Sequence, residues 1–387
     1  MTIWFAAIGV LTLVIWVYLA FANGTYWWIR PFLNDDTAFS KLNHWPSVAV
    51  VIPARNEAQT IERVLESLLA QNYPGSFRIV LVDDHSDDTT GLLARKFISR
   101  GSSSRQLDVL SGEPLPAGWT GKLWALQQGV EHARTYAPDL LWFTDADIVH
   151  GAGTLEQLVL RAEANHLDLT SLMVLLQTNT FAERLLIPAF VYFFLMLYPP
   201  LRIAAANAST AGAAGGCILI RSQALERAGG IAAIRSEVID DCALARAVKR
   251  SGGRLWLGLT RRSVSLRNYA QAGEIRDMIA RTAFTQLSYS TLLLAGTLIG
   301  MFLTFVAPVL LLFTAQRLPS LFGLLAWILM AVTFLPIARL YRIPVAFGLL
   351  LPFIAVFYSY ATWLSAGRYW LGRGGQWKGR TQAPKSA

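Results

Sequence analysis

The feature that most constrains this chain is an apolar run that ends in two carboxylates, Leu140-Leu-Trp-Phe-Thr-Asp-Ala-Asp-Ile148. Such a run is typical of a buried strand that carries acids to the edge of a sheet. Residues two apart in an extended chain point to the same face, so Asp145 and Asp147 would reach one cation. Carboxylate oxygens suit Mg²⁺ or Mn²⁺, which is commonly shared with a diphosphate. A loop with two solvated acids is the alternative interpretation.

The composition predicts membrane segments. Of the 387 residues, 54% are hydrophobic and 15% are charged, and the mean hydropathy is +0.40. This is too apolar for an ordinary soluble protein. The net charge of +9 comes without a Lys/Arg-rich block, which favours an anionic membrane surface and anionic substrates over nucleic acid. Cys217 and Cys242 provide neither a disulfide framework nor a metal cluster.

Four apolar segments are long enough to span a bilayer. They cover residues 3–22, 287–313, 321–337 and 343–364. We therefore expect a transmembrane helix within residues 1–25, an interfacial helix over 266–286, three transmembrane helices over 287–365, and a basic tail over 366–387. A cleaved signal peptide is the alternative for the first segment, but no basic region precedes it and the apolar run is long.

The positive residues predict an orientation, with one conflict. Arg30 follows the first segment, which places the N-terminus outside and the next domain in the cytoplasm. Arg339 and Arg342 mark a cytoplasmic loop, and the same rule places the basic tail inside, whereas four crossings would leave it outside. The segment 185–200 is short and contains Pro188, so we expect it to be interfacial or re-entrant. Either this segment crosses after all or one C-terminal stretch is re-entrant.

Between the membrane segments, residues 45–265 have the pattern of an α/β domain, in which strands alternate with helices. The predicted strands are 47–53, 78–84, 107–110 and 140–145, and the predicted helices are 57–71, 87–100 and 122–136. This alternation predicts a doubly wound, mainly parallel sheet. Ligands of such sheets bind beyond the carboxyl ends of the strands. The acids Asp83, Asp84, Asp145 and Asp147 follow two strand ends and should meet at that edge.

Candidate nucleotide contacts also follow these strands. The Pro53-Ala-Arg-Asn-Glu57 turn and Asp84 are candidates to contact a base and ribose. Lys122 lies near a predicted helix start, after the loop 116–121, where it would meet a phosphate. Alternatively, Glu57 is an acid at a helix N-terminus that interacts favourably with the helix dipole, and Lys122 is a solvated lysine at a helix start.

Two later motifs complete the candidate site. Residues 211–221 form a small-residue loop with three glycines, which would let the backbone approach a ligand closely before a strand begins. A tight turn is the alternative. Glu237-Val-Ile-Asp-Asp241 opens a predicted helix, and a carboxylate there is a candidate general base. Acids at a helix start also act as caps, which is the simpler interpretation.

Taken in order, these motifs resemble family 2 inverting glycosyltransferases. The motifs are Pro53-Ala-Arg-Asn-Glu57, Asp83-Asp-His-Ser-Asp-Asp88, Gly121-Lys122, Asp145-Ala-Asp147 and Asp240-Asp241. The Gly-Trp-Thr-Gly-Lys loop and the flanking membrane segments resemble the ceramide-glucosyltransferase-like branch, most closely bacterial hopene-associated glycosyltransferases. The resemblance implies a GT-A nucleotide-sugar-binding fold, a divalent metal (Mg or Mn), a UDP-sugar donor, a lipid acceptor that is hopanoid or sphingolipid-like, and a place in the cell inner membrane.

The resemblance also implies roles for individual residues. It places Pro53, Ala54, Arg55, Glu57, Asp84, Lys122 and Asp145 at the donor, Asp145 and Asp147 at the metal, and Asp240, Asp241 and Arg281 in catalysis. Asp241 would be the base, and Arg281 would stabilise the leaving diphosphate. The family commonly has a Trp after this arginine, whereas this chain has Thr282. That departure affects the expected positioning of the acceptor.

Three other functions use some of the same features. A polysaccharide synthase would share the domain, but three C-terminal spans leave little room for a polymer channel. A non-catalytic membrane scaffold on a decayed transferase domain predicts no metal-dependent nucleotide binding. A transporter is disfavoured by the long soluble insert and by the few polar residues in the spans.

Overall fold

The computed structural model describes residues 2–32, 39, 42–98, 105–372, 376–377 and 380–381. The chain divides into two compact units. The helical unit comprises residues 1–31, 177–202 and 268–375, and the sheet unit comprises residues 32–176, 203–267 and 376–387.

The sheet unit alternates strands and helices through most of its length. Its strands are β1 (Val48–Ala54), β2 (Phe77–Asp83), β3 (Arg105–Ser111), β4 (Leu140–Phe143), β5 (Ile148–His150), β6 (Leu169–Leu175), β7 (Ile218–Arg221) and β8 (Leu255–Ser265), with a short pair β9 (Gln376–Trp377) and β10 (Arg380–Thr381). Its helices are α2 (Ile61–Leu69), α3 (Thr90–Lys96), α4 (Gly121–Arg134), α5 (Thr154–Ala164), α8 (Ser222–Arg227) and α9 (Asp240–Arg250). The short helix α7 (Pro200–Ala204) spans the boundary, since residues up to 202 belong to the helical unit and residues from 203 to the sheet unit.

One eight-stranded sheet organises this unit, in the order β3-β2-β1-β4-β7-β6-β8-β5. β1 to β4 are mutually parallel, β6 is parallel to β8, and β7 and β5 run antiparallel to their neighbours. Every residue of β1 is buried, as expected for a central strand covered on both faces. Helix α4 packs so closely on β1 that a Cβ at Gly129 would lie 2.3 Å from Val51 Cγ1, which explains the glycine.

The strand register brings several chain segments to one edge. Ala54 is paired with Asp83, and Asp83 with Ser111, so β1, β2 and β3 end level with one another. Phe143, the last residue of β4, is paired with Ile218, the first residue of β7. The turn after β4 and the glycine loop before β7 therefore lie side by side at this edge, which we call the carboxyl edge.

The helical unit contains α1 (Thr2–Phe21), α6 (Phe181–Leu197), α10 (Ala272–Gln286), α11 (Thr291–Met301), α12 (Ala307–Leu312), α13 (Arg317–Leu340) and α14 (Leu351–Trp370). A π-helical turn, Phe302–Val306, joins α11 to α12, and a 3-10 helix, Val345–Leu350, precedes α14. Within the part of the chain that the structure describes, five helical segments are long and apolar enough to cross a membrane. They are Ile3–Phe21, Phe181–Ala204, Thr291–Leu312, Arg317–Leu340 and Val345–Trp370.

Contacts fix the direction of the long helices. A Cβ at Gly323, near the start of α13, would lie 2.4 Å from the carbonyl oxygen of Pro308 on α12. Trp16 on α1 donates to the carbonyl of Thr304 over 2.7 Å, whereas Gly9 lies against Phe322. The α11–α12 rod therefore runs one way, and α1 and α13 run the other. We call the end where α1 and α13 finish and α11 starts the proximal end.

The segment after α13 does not run the full length of this unit. A Cβ at Gly348 would lie 3.0 Å from the carbonyl oxygen of Ala331, and Trp327 donates to the carbonyl of Leu349 over 3.2 Å. The 3-10 helix therefore runs back only to the middle of α13. Ala366, near the end of α14, is buried with Leu294 at the start of α11, so α14 returns to the proximal end.

The four predicted parallel strands are confirmed, and several boundaries differ. The predicted helix 57–71 begins only at Ile61, because the preceding residues form a turn in which Asn56 has φ +52°. Most of the segment 185–200 lies in a helix that starts earlier, Phe181–Leu197, and that accommodates Pro188. The predicted helix 87–100 covers Thr90–Lys96, and its residues 99–100 lie outside the described residues, as do parts of the tail 366–387.

Candidate active site

Lys122 joins two of the acids at the carboxyl edge. It is the second residue of α4, and its Nζ lies 2.8 Å from Asp145 Oδ1 and 3.0 Å from Asp240 Oδ2. Burial by itself would lower the pKa of Lys122, but the charges of Asp145 and Asp240 raise it above its usual value. Lys122 is therefore a fixed cation that links the turn after β4 to the start of α9.

Asp241 is held by backbone amides at the start of α9. Its Oδ2 accepts from the Gly215 amide over 2.9 Å, and its Oδ1 accepts from the Cys242 amide over 2.7 Å. Burial, followed by the charge of neighbouring Asp240, raises the pKa of Asp241 to about 6. A carboxylate with a pKa near neutrality is suited to accept a proton at physiological pH.

The glycine loop lies close to these acids. A Cβ at Gly215 would lie 3.3 Å from Asp241 Oδ2 and 3.5 Å from Lys122 Nζ. Asp145, Lys122, Gly215, Asp240 and Asp241 line one small cavity, together with Pro53 and Thr144. The structure thus brings together residues from five of the predicted motifs.

The two acids of the central motif do not lie on an extended strand. β4 ends at Phe143, and the Ile148 amide donates to the Asp145 carbonyl over 3.3 Å, so Asp145 and Asp147 belong to a turn. The prediction that alternation along a strand points both side chains to one face was therefore wrong. Both side chains are half-buried, and the Asp147 carbonyl accepts from the Leu266 amide over 2.7 Å.

A divalent cation fits this turn only if substrate phosphates complete its coordination. Among the described residues, no group of three or more His, Cys, Asp or Glu side chains converges as a metal cage. Two partly accessible carboxylates, Asp145 and Asp147, nevertheless match the way Mg²⁺ and Mn²⁺ bind through one or two carboxylates plus substrate phosphates. The residues present therefore fit a cation that arrives with a diphosphate.

The predicted nucleoside contacts form a connected region beside the cavity. Asp84 is fully buried after β2. Arg55 donates to the carbonyls of Asp84 and His85 over 2.5 and 2.8 Å, and the Glu57 amide donates to Thr90 Oγ1 over 2.8 Å. Arg55 and Glu57 therefore connect the turn after β1 to the loop after β2, next to the buried residue Ala54.

Arg281 belongs to a different part of the fold. It lies exposed on α10 of the helical unit, whereas the residues around Lys122 belong to the sheet unit. Its role at a leaving diphosphate stays a prediction.

Sequence reasoning missed a buried polar set behind the acid turn. His150 is 2% exposed, and its ring contacts Thr144 and Ser263 through its two nitrogens. Burial lowers the pKa of His150 to about 3, so this imidazole is neutral. The only sequence signal was a polar residue, His150, at the end of a short apolar segment.

The fold and the cavity together define the class of protein. A mainly parallel, mixed α/β sheet with acids gathered at its carboxyl edge is a GT-A-like fold. The structure resembles a mannosyltransferase of Pyrobaculum calidifontis, solved in complex with GDP-Man and Mn²⁺, with a TM-score of 0.54 and 18% identity. The match covers 92% of this chain and 99% of that one, and at this identity it shows the fold.

The sequence resembles a known family over part of its length. Residues 49–229, a little under half of the chain, match Glycosyl transferase family 2. A 4,4'-diaponeurosporenoate glycosyltransferase of Staphylococcus aureus (strain bovine RF122 / ET3-1) is 34% identical over 106 residues, and that of strain MRSA252 is 33% identical over 106 residues. Each match covers 27% of this chain and 25% of the relative. The chain thus spans about a quarter of the length of these curated relatives.

Proposed function

We propose that this protein is a membrane-bound inverting glycosyltransferase that moves a sugar from a nucleotide donor to a hydroxyl group of a lipid. The observation that carries the proposal is the cluster in which Lys122 joins Asp145 to Asp240, beside the amide-held carboxylate of Asp241. Lys122 and Asp145 lie within residues 49–229, which match Glycosyl transferase family 2, and Asp240 and Asp241 follow that range. Among the described residues, five apolar helical segments are long enough to span a bilayer.

The cluster supplies the groups that a single displacement needs. The acceptor hydroxyl attacks the anomeric carbon, the bond from that carbon to the diphosphate breaks, and the acceptor's proton passes to Asp241. The configuration inverts because there is one displacement. Lys122 is held next to Asp145 and places a positive charge where negative charge develops on the leaving diphosphate.

A divalent cation would be held by Asp145 and Asp147. When bound, it neutralises charge on the diphosphate and favours its departure. The solved mannosyltransferase with the same fold contains Mn²⁺ and a nucleotide sugar, which supports this assignment. We propose UDP as the nucleotide, with Asp84 at the uracil, Asp145 at the ribose or cation, and Pro53, Ala54, Arg55 and Glu57 lining the donor site.

The acceptor is proposed to be a membrane lipid. The relatives in Staphylococcus aureus are named for a carotenoid acceptor, which is lipid-like. A hopanoid or sphingolipid-like compound is the specific candidate that the sequence resemblance suggests. The apolar helices would keep the enzyme at the surface where such acceptors lie, in the bacterial inner membrane with the sheet unit in the cytoplasm.

Chain connectivity supports a membrane topology with three crossings. The strands β6 and β7 are hydrogen-bonded neighbours in one sheet, yet the segment Phe181–Ala204 lies between them in sequence. A single crossing by this segment would put the two strands on opposite sides of the bilayer. We therefore propose that α6 does not cross but is re-entrant or interfacial.

The second apolar segment that need not cross is Val345–Trp370. Its 3-10 helix runs only to the middle of α13, and α14 returns to the proximal end. With α1, α11–α12 and α13 as the crossings, the sheet unit, Arg339, Arg342 and the basic tail all lie on one side. This arrangement satisfies the positive-inside rule and removes the conflict that four crossings create.

Calorimetry on the purified full chain in detergent tests the donor site. We expect UDP to bind in the presence of Mn²⁺ and not after EDTA is added, and we expect Asp147→Ala to weaken this binding at least tenfold. Glu62→Ala, which removes an exposed carboxylate on α2, is the matched control and should bind as the wild type does.

The outcomes separate the parts of the proposal. Tighter binding of GDP than of UDP would contradict the nucleotide assignment alone. Binding of UDP that is equal with and without Mn²⁺ would contradict the role of Asp145 and Asp147. A wild-type protein that binds no nucleoside diphosphate would contradict the glycosyltransferase proposal and favour a membrane scaffold.

A further inference from the structure

A chain of buried hydrogen bonds connects the acid turn to the glycine loop. Ser263 Oγ lies 2.9 Å from His150 Nδ1, and His150 Nε2 lies 2.8 Å from Thr144 Oγ1. Thr144 Oγ1 then donates to the Gly216 carbonyl over 3.1 Å. Thr144 precedes Asp145, and Gly216 follows the residue whose amide holds Asp241. The chain thus ends between the two halves of the candidate active site.

The chemistry of the groups sets the direction of the chain. A carbonyl oxygen can only accept, so the single hydroxyl proton of Thr144 goes to Gly216. Thr144 must then accept from His150, which places the imidazole proton on Nε2 and leaves Nδ1 to accept from Ser263. The imidazole is buried and neutral, with its pKa lowered to about 3. Its proton arrangement is therefore the same throughout the physiological pH range.

Burial makes this arrangement rigid. Thr144 is 1% exposed and Ser263 is 0% exposed. The ring of Trp142 packs on His150 with 4.6 Å between the ring centroids. A buried donor or acceptor that loses its partner is destabilising, so each group in the chain is held to the next. The register pair between His150 and Ser263 in β5 and β8 fixes the far end of the chain.

We propose that Thr144 and His150 are positioning residues for glycosyl transfer: they hold the turn that carries Asp145 at a fixed distance from the glycine loop that holds Asp241. This inference rests on the function proposed above. In that reaction the leaving diphosphate is bound by the acid turn, whereas the acceptor's proton goes to Asp241, so the distance between the two groups sets the geometry of the displacement. A bond at Gly216 and another at Gly215 make the short loop a rigid link.

A purely structural role would give a different pattern of effects. An apolar side chain of the same shape at position 144 would fill the space equally well, and the two strands would still pair through their backbones. A positioning role predicts that losing the hydroxyl changes turnover more than donor binding, since donor contacts made by the turn itself survive. The substitution Thr144→Val tests this, because valine is nearly isosteric with threonine but cannot donate or accept.

The experiment compares Thr144→Val with Thr144→Ser, which keeps the hydroxyl, in the purified full chain. UDP release from a panel of UDP-sugars gives kcat and KM, calorimetry with UDP and Mn²⁺ gives donor affinity, and thermal unfolding reports the folded fraction. We expect Thr144→Val to lower kcat at least tenfold while UDP affinity and KM change less than threefold. Thr144→Ser should recover kcat to within threefold of the wild type.

A spectroscopic measurement tests the chain without any substrate. In protein labelled with ¹⁵N-histidine, His150 should give the neutral Nε2–H tautomer, identified by the loss of its signals in His150→Gln. Thr144→Val should shift the Nε2 resonance, and Thr144→Ser should not. An Nδ1–H tautomer would contradict the proposed direction of the chain.

The readouts distinguish this inference from the proposed function. If the wild type turns over a UDP-sugar and Thr144→Val retains its kcat, the positioning role is wrong and the function stands. Equal losses of kcat and of UDP affinity in Thr144→Val would show general damage to the site, which also contradicts the positioning role. A wild type that neither binds UDP nor releases it from UDP-sugars removes both proposals.

Discussion

Removal of the Lys122 charge should destabilise the sheet unit measurably. The substitution Lys122→Met keeps the length of the side chain but leaves Asp145 and Asp240 without their shared cation. At about 3 Å and an effective dielectric constant of about 20, each attraction amounts to roughly 5 kcal/mol before desolvation is subtracted. Deleting one partner of a buried pair costs about 3–5 kcal/mol in practice.

Partial exposure reduces that value. The side chains of Lys122, Asp145 and Asp240 are 19%, 35% and 23% exposed, so water screens part of the interaction. We therefore expect a loss of ~2–3 kcal/mol in the free energy of unfolding. For a unit of this size, that loss corresponds to a fall of roughly 5–10 °C in Tm.

Thermal unfolding of the purified protein measures this effect, and a second substitution tests its cause. Asp240→Asn added to Lys122→Met removes one of the unpaired charges, so the double variant should regain at least half of the lost Tm. Lys96→Met, at an exposed position on α3, is the matched control and should change Tm by less than 2 °C. A Lys122→Met protein that melts within 2 °C of the wild type would refute the reasoning.

Three further results are expected. Gly215→Ala should lower kcat at least tenfold with a smaller change in Tm than Lys122→Met, because the new Cβ would lie 3.3 Å from Asp241 Oδ2; an unchanged kcat would argue against Asp241 as the base. The rate should fall about tenfold per pH unit below pH 6, because burial and Asp240 raise the pKa of Asp241 to about 6 and only its carboxylate accepts a proton. The raised pKa also means that the native state favours the protonated form of Asp241. The contribution of this group to the free energy of unfolding is therefore present at pH 4 and lost as the pH rises through 6. In membrane vesicles, an impermeant maleimide should label Leu371→Cys from the cytoplasmic side and Phe313→Cys from the opposite side, whereas labelling of both from one side would contradict three crossings.

The central sheet was predictable because buried parallel strands appear in sequence as continuous apolar runs. Val48–Ala54 and Phe77–Asp83 are such runs, and charged residues mark where they stop: Arg55 follows the first run, and Asp83 and Asp84 close the second. The exact end of β4 was not predictable, since Thr144 has the propensity of a strand residue. Its side chain bonds to the Gly216 carbonyl and to His150, contacts that no local pattern predicts.

The pairing of Lys122 with two acids was beyond sequence reasoning. Asp145 and Asp240 are far from Lys122 along the chain and far from each other. Only the order of strands, with β7 between β4 and β6, brings the start of α9 to the same edge as the turn after β4. The sequence places Lys122 near a helix start, but its partners depend on tertiary contacts that no local pattern encodes.

The apolar helical segments show the same limit in another form. Hydropathy measures whether a segment is long and apolar enough to cross, and it therefore counts Phe181–Ala204 and Val345–Trp370 as candidate spans. It does not detect that β6 and β7, on either side of the first segment, must lie on one side because they share a sheet. It also does not detect that Gly348 packs against the middle of α13. A crossing is a property of the whole path of the chain, so pairing between strands outside the membrane constrains it more strongly than the apolarity of the segment itself.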